Sequence, residues 1–252
     1  MRPDDEPQRA ADDPAAFYTA GYALADPAEA ARMGRWRALG ARTKAAHVRT
    51  LCARAGLAPA TLVEIGCGDG ALLAELAAQA TVLDGFELSP TAIEHARARR
   101  IAGVRRLEAY DGARLPAADA GYDLAVLSHV LEHVADPAPL LAEAARVGRH
   151  VLVEVPLEGN RSAARPAKRA EALRIGHLHA FTRADVRELL AGAGLRPLAE
   201  LSDPLPLVHH AFFGNGARAA AKWALREAAW RVAPERAERW FTVHYAVLAA
   251  AG

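Results

Sequence analysis

The segment Glu64-Ile65-Gly66-Cys67-Gly68-Asp69-Gly70 constrains this chain more than any other. It follows the apolar run Thr61-Leu62-Val63 and precedes Ala71-Leu72-Leu73, which suits a helix. A strand that meets alternating glycines and then a helix forms a βα unit whose turn exposes its backbone. With no Cβ in the way a ligand can approach that turn, and the first amides of the helix face polar or anionic groups. Nicotinamide and flavin folds prefer G-x-G-x-x-G. Here Gly66, Gly68 and Gly70 give G-x-G-x-G behind an acidic residue.

The same alternation continues along the chain. Strands are expected over 61–66, 82–88, 104–109, 122–128, 150–155, 195–201 and 241–248, and helices over 71–80, 90–100, 139–147 and 182–193. Pro90 suits a first helical turn. Thr182 with Asp185 reads as a capping-box start. Strands alternating with helices imply an α/β, doubly wound, mainly parallel sheet, here of seven strands. Residues 1–14 read as a loose arm carrying Pro3, Pro7 and Pro14. Residues 28–55 read as helix in two pieces, with Trp36, Leu39, Val48 and Leu51 as apolar positions. The stretch 204–238 breaks the rhythm. It is expected to be an insertion before the last strand, with a helix over 217–232 that has Ala219, Trp223 and Trp230 on one stripe. Two regions follow: 1–56 as arm and helices covering the site, and 57–252 as the main domain with its insertion.

Composition narrows the function. A chain of 252 residues with 52% apolar and 24% charged residues can bury one sizeable core. A net charge of +1 argues against nucleic acid as partner. Two cysteines, Cys52 and Cys67, suggest no disulfide framework. No apolar run is long enough for a membrane span and nothing near Met1 reads as a secretory signal, so the cytoplasm is the expected location. Lysine occurs only at Lys44, Lys168 and Lys222 among abundant alanine and arginine, which points to a GC-rich bacterial coding sequence.

Further motifs follow the glycine turn in order. Gly85-Phe86-Glu87-Leu88-Ser89-Pro90 ends the second strand with a carboxylate 21 residues after Gly66. Tyr110-Asp111-Gly112 follows the third strand. Tyr122-Asp123-Leu124-Ala125-Val126-Leu127-Ser128-His129-Val130-Leu131-Glu132-His133 spans the fourth strand and its loop. Together these resemble class I S-adenosylmethionine-dependent methyltransferases, which are Rossmann-like, and in particular the ubiquinone-biosynthesis type that acts on small molecules. The resemblance covers about residues 35–200.

It implies S-adenosylmethionine as cofactor, with S-adenosylhomocysteine as product. Gly66, Cys67 and Gly68 would pass along the ligand. Glu87 would accept from the ribose hydroxyls, with Leu88 beside it. Asp111, followed by Gly112, would receive the adenine amino group or shape a turn. Glu64 would fix loop amides or the methionine ammonium, directly or through water. Ser128 would also meet the cofactor, and His129 would lie next to the methyl position. Tyr18, Tyr22 and Lys44 would cover the amino-acid end and meet its carboxylate, or the tyrosines would only pack the arm onto the core.

A hydroxyl acceptor benefits from a base. Among ten histidines the resemblance favours His177, then His133. His179, His209 and His210 are further candidates, and His244 reads as structural. His129, Glu132 and His133, at i, i+3 and i+4, could share one helical face and hold an ion. The related enzymes carry a glutamate where His129 stands, which puts their magnesium-type site in doubt; no metal is therefore expected. The expected reaction is methyl transfer to a small-molecule acceptor, preferably a hydroxyl of a metabolite or natural-product intermediate. The alternative is a protein that binds the cofactor without transferring methyl. Oligomeric state is not encoded in any of these motifs. A basic, tryptophan-bearing helix in the insertion would touch a membrane surface or pack on its own domain.

Overall fold

The computed structural model describes residues 10, 12–214 and 216–251. The segment expected as a loose arm, 1–14, lies mostly outside the described residues; its last member, Pro14, opens a helix. That helix, α1 (Pro14–Tyr22), is capped by Asp13, whose side chain accepts from the Ala16 amide. Asp26 caps α2 (Pro27–Arg54) in the same way. α2 is one continuous helix rather than the expected two pieces: Gly34 and Gly40 look onto open space, so neither marks a break.

Seven strands form one sheet in the order β3-β2-β1-β4-β5-β7-β6. They are β1 (Thr61–Ile65), β2 (Val82–Glu87), β3 (Val104–Ala109), β4 (Tyr122–Ser128), β5 (Gly148–Pro156), β6 (Leu195–Asp203) and β7 (His244–Ala251). Only β7 runs against its neighbours. The order reverses between β1 and β4, and in open α/β sheets the crevice beyond the carboxyl ends at such a point takes ligands.

The period of two along each strand sorts residues onto two apolar layers. Leu62, Leu124, Val126, Leu152, Ala246 and Leu248 pack under α2, α3 (Ala71–Leu76) and α4 (Pro90–Ala98). Val63, Ile65, Ala125, Leu127, Val153 and Val247 pack under α5 (Pro137–Val147) and α7 (Arg183–Gly192). Burying each such Leu or Val contributes about 1.5–3 kcal/mol relative to exposure. Thr182 and Asp185 form the expected capping box on α7.

α6 (Pro166–Arg174) was not expected: it has no buried residue, and so no apolar stripe to announce it. The insertion holds α8 (Leu207–Phe212), α9 (Gly216–Val232) and α10 (Pro234–Glu238). α9 packs on its own domain through Trp230, and the Arg226 guanidinium lies 5.3 Å from the Phe241 ring centre. β7 begins at His244 rather than at the expected Phe241, because Val243 and the residues before it form the approach to the sheet. No helix among the described residues is long and apolar enough to cross a membrane.

Candidate active site

Two cavities meet beyond the carboxyl ends of β1 and β4. The first, about 510 Å³, is lined by Tyr18, Tyr22, Gly66, Glu87, Leu88, Asp111, Gly112, His129 and His133. The second, about 410 Å³, is lined by Tyr22, Lys44, Glu64, Gly66, Cys67, Gly68, Ser128, His129 and His177. The expected cofactor residues, His177, His133 and His209 therefore lie on one cavity or both, with Tyr22, Gly66 and His129 at the divide, whereas His179 and His210 lie on neither. Volumes in this range suit organic ligands.

The glycine turn is built by its neighbours. Gly66 holds φ +76°, and a Cβ there would stand 2.6 Å from Val130 Cγ2. The wall formed by Val130 thus leaves room for glycine only. Asp69 is buried and held by Arg37 from α2 at 2.9 Å and by Arg99 after α4 at 2.7 Å. The Arg37 guanidinium also lies 4.9 Å from the Tyr22 ring centre, which ties α1 to the turn.

Glu87 departs from a simple ribose acceptor. Its Oε1 accepts from the amides of Leu88 at 2.8 Å and Ser89 at 3.0 Å, and its Oε2 from the Gly68 amide at 2.9 Å. A carboxylate offers about four lone-pair sites, so one remains for a ligand hydroxyl. Asp111 accepts from the Ala113 amide at 2.9 Å and shapes a turn while still facing the first cavity. The backbone amides of Ala113 and Arg114, both donating to Oδ1, hold its carboxyl below the ordinary range. Glu64 is 4% exposed, and its Oε2 is buried without a hydrogen-bond partner. Burial raises its pKa well above the carboxylate range, and Lys44 opposes that shift. Burial likewise raises the Cys67 thiol.

The histidines cluster densely. His177 Nδ1 lies 2.9 Å from Glu158 Oε2. His133 Nδ1 lies 3.0 Å from the Gly176 carbonyl oxygen, so it carries the proton and leaves Nε2 as the free acceptor. The two rings are 4.8 Å apart, and the Tyr18 ring stands 5.4 Å from that of His133. Burial and the neighbouring His177 lower the pKa of His133. Burial opposes charge on His177 as well, yet the bond to Glu158 and the nearby Glu132 raise its pKa.

His129, Glu132 and His133 do not share a helical face as the spacing suggested. His129 has φ +59°, and only Leu131–His133 form a short 3-10 turn, so no α-helix runs through the segment. His129 meets Glu154 and His244 as well as Glu132, while Glu132 and His133 group with His177. Sequence reasoning missed Glu154, Glu158 and His47, and set His244 aside as structural. The available signal was a single charged residue in an apolar strand, Val151-Leu152-Val153-Glu154-Val155, because a charge is buried only where it is paired.

Known proteins resemble the chain as follows. The family model for a methyltransferase domain matches residues 35–200. The ubiquinone biosynthesis O-methyltransferase of Aromatoleum aromaticum (strain DSM 19018 / LMG 30748 / EbN1) is 33% identical over 98 residues. That match spans 38% of this chain and 42% of the relative, less than half of either. Geranyl diphosphate C-methyltransferase from Streptomyces coelicolor A3(2), solved with Mg2+, geranyl diphosphate and S-adenosyl-L-homocysteine, is similar in fold: TM-score 0.60 at 17% identity, over 83% of this chain and 79% of that one. The [4+2]-cyclase SpnF is also similar, with TM-score 0.56 at 18% identity over 80% and 79% of the two chains.

Proposed function

The chain belongs to the methyltransferase-domain family, and on that premise we propose that it transfers a methyl group from S-adenosylmethionine to a small-molecule acceptor, by preference to a hydroxyl oxygen. One observation carries this: Glu64, Glu87 and Asp111 stand at the ends of three adjacent strands around one glycine turn.

The residues fit the cofactor. The unpartnered Glu64 Oε2 suits an ammonium, and Lys44 beside it suits a carboxylate. Glu87 retains one acceptor site for a ribose hydroxyl. Leu88 and Gly112 offer apolar surface to the base, and Asp111 an acceptor for its amino group. Gly66, Cys67 and Gly68 let the ligand lie against the backbone. Ser128 and His129 close the end where the two cavities meet. α1, with Tyr18 and Tyr22, and α2 cover the site, and the insertion over 204–238 walls its far side through His209.

When bound, S-adenosylmethionine supplies a methyl group already activated as a sulfonium, so alignment can account for much of the rate. His177 acts as the base for a hydroxyl: Glu158 holds its Nδ1 proton, and Nε2 receives the acceptor's proton. His133 is the second candidate, kept neutral by burial. The test is to count S-adenosylhomocysteine formed with a panel of hydroxylated acceptors. Turnover with a hydroxyl compound that falls in His177→Ala supports the assignment; turnover only with amines or carbon acceptors refutes the preference for oxygen.

The fold is shared with a [4+2]-cyclase, and the second reading is that the cofactor is held without methyl transfer. Under that reading both nucleosides bind and no acceptor yields S-adenosylhomocysteine.

A further inference from the structure

Three strands end in a triangle of donor atoms that alignment of a methyl group does not require. His129 Nε2, at the end of β4, lies 3.2 Å from His244 Nδ1, at the start of β7. His244 Nδ1 lies 3.3 Å from Glu154 Oε1 on β5. His129 Nε2 lies 3.5 Å from the same oxygen. We propose that His129, Glu154 and His244 bind a divalent transition-metal ion, best matched by zinc, whose fourth position opens into the 410 Å³ cavity.

The edges of the triangle discriminate between ions. Tetrahedral zinc with bonds of about 2.0–2.1 Å separates neighbouring ligands by about 3.3–3.4 Å. Octahedral magnesium at similar bond lengths would place adjacent ligands only about 2.9 Å apart. The three separations, 3.2, 3.3 and 3.5 Å, bracket the first figure and all exceed the second. Two imidazoles and one carboxylate are also a zinc-type donor set, with an open position of the kind catalytic sites keep.

The surroundings orient the donors. His129 Nδ1 lies 3.2 Å from Glu132 Oε1. A His129 tautomer with its proton at Nδ1 leaves a lone pair at Nε2 that a cation can share with Glu154 Oε1 and His244 Nδ1. A carboxylate behind a ligating imidazole is the usual support of such sites. His47 supports the other donor: its Nδ1 lies 3.2 Å from Glu154 Oε1 and its Nε2 3.0 Å from Asp203 Oδ2. Glu154 is wholly buried, where a charge needs a partner or an ion. His129 keeps a left-handed backbone, φ +59°, a conformation that persists in non-glycine residues only when the surroundings enforce it. An ion held here can polarise an oxygen that enters the cavity. The proposal does not depend on methyl transfer.

The test uses the full chain, stripped with chelator and dialysed against Zn2+ or Co2+ without nucleoside. One equivalent is expected, with the visible bands of four-coordinate Co2+. His244→Ala abolishes binding. Glu132→Gln, which removes the support of His129, weakens it by about 10–100-fold. His177→Ala leaves it in place. X-ray absorption of the Co2+-loaded wild type, which needs no variant to fold, should count two imidazoles. No stoichiometric binding, a different imidazole count, retention in folded His244→Ala, or loss in His177→Ala (an ion at Glu132, His133 and His177 instead) overturns the proposal.

Discussion

The Gly68 amide donates to Glu87 Oε2 at 2.9 Å, so the carboxylate that ends β2 holds the turn that follows β1. Turn geometry thus depends on the side chain proposed to meet the ligand. Glu87→Ala strips acceptors from three amides, and bonds to a charged group contribute about 1.5–3 kcal/mol each. The expected result is a lower unfolding midpoint together with lost nucleoside affinity. Glu87→Gln keeps one acceptor oxygen and should recover more stability than affinity. Denaturant titration beside calorimetry checks this; equal recovery of both would contradict it.

Gly66 is fixed by conformation and by space. Gly66→Ala places a side chain at φ +76° and against Val130. The left-handed backbone alone costs about 1–2 kcal/mol. Adding Val130→Ala should relieve the clash and not the backbone cost. Urea unfolding of the two single variants and the double variant measures the difference. A double variant no more stable than Gly66→Ala would show that Val130 is not the obstacle.

His177 sets a pH limb. In the proposed role its neutral form would accept the proton, and burial is outweighed by Glu158 and Glu132, which raise its pKa above the ordinary value of about 6.5. Turnover should therefore rise with pH through a value above that figure. Glu158→Gln removes the bonded carboxylate and should move the limb to lower pH. His177→Ala should lower kcat by about 10²–10⁴-fold. A limb that stays in place in Glu158→Gln would remove His177 from the role.

Asp84 links stability to acid. It is wholly buried, and it accepts from Arg105 at 2.5 Å, Arg106 at 3.0 Å and the Tyr122 hydroxyl at 2.5 Å. Burial pushes its pKa up, yet these partners bring it below the ordinary value. A carboxyl depressed in the folded state stabilises above its unfolded value of about 3.9, and that contribution is lost as pH falls through the folded value. Asp84→Asn should cost about 1–3 kcal/mol at neutral pH. Its stability should also fall less steeply below pH ~4 than that of the wild type. Thermal unfolding across the acid range tests both, and parallel curves would contradict the assignment.

Much of this architecture was legible because the period of two along the strands and the glycine turn are local properties. Leu124 and Val126 against Ala125 and Leu127 announce a strand covered on both faces. Thr182 and Asp185 announce a helix start. The three carboxylates were legible through motif order. The histidine cluster was not, because it depends on register. Reversed β7 sets His244 opposite Pro156 on one side and Asp203 on the other. Glu154 and Ser128 reach the same face from β5 and β4, and His47 descends from α2. No spacing in the chain encodes that meeting. The misjudged segment 129–133 failed for a local reason: one left-handed residue, His129, ends the periodicity on which a shared helical face depends.

The central claim is best tested by calorimetric titration of the protein with S-adenosylmethionine and S-adenosylhomocysteine, repeated with Glu87→Ala. Micromolar binding of both nucleosides to the wild type, and its collapse in the variant, is the expected result. No heat with either nucleoside, or affinity unchanged in Glu87→Ala, would contradict it.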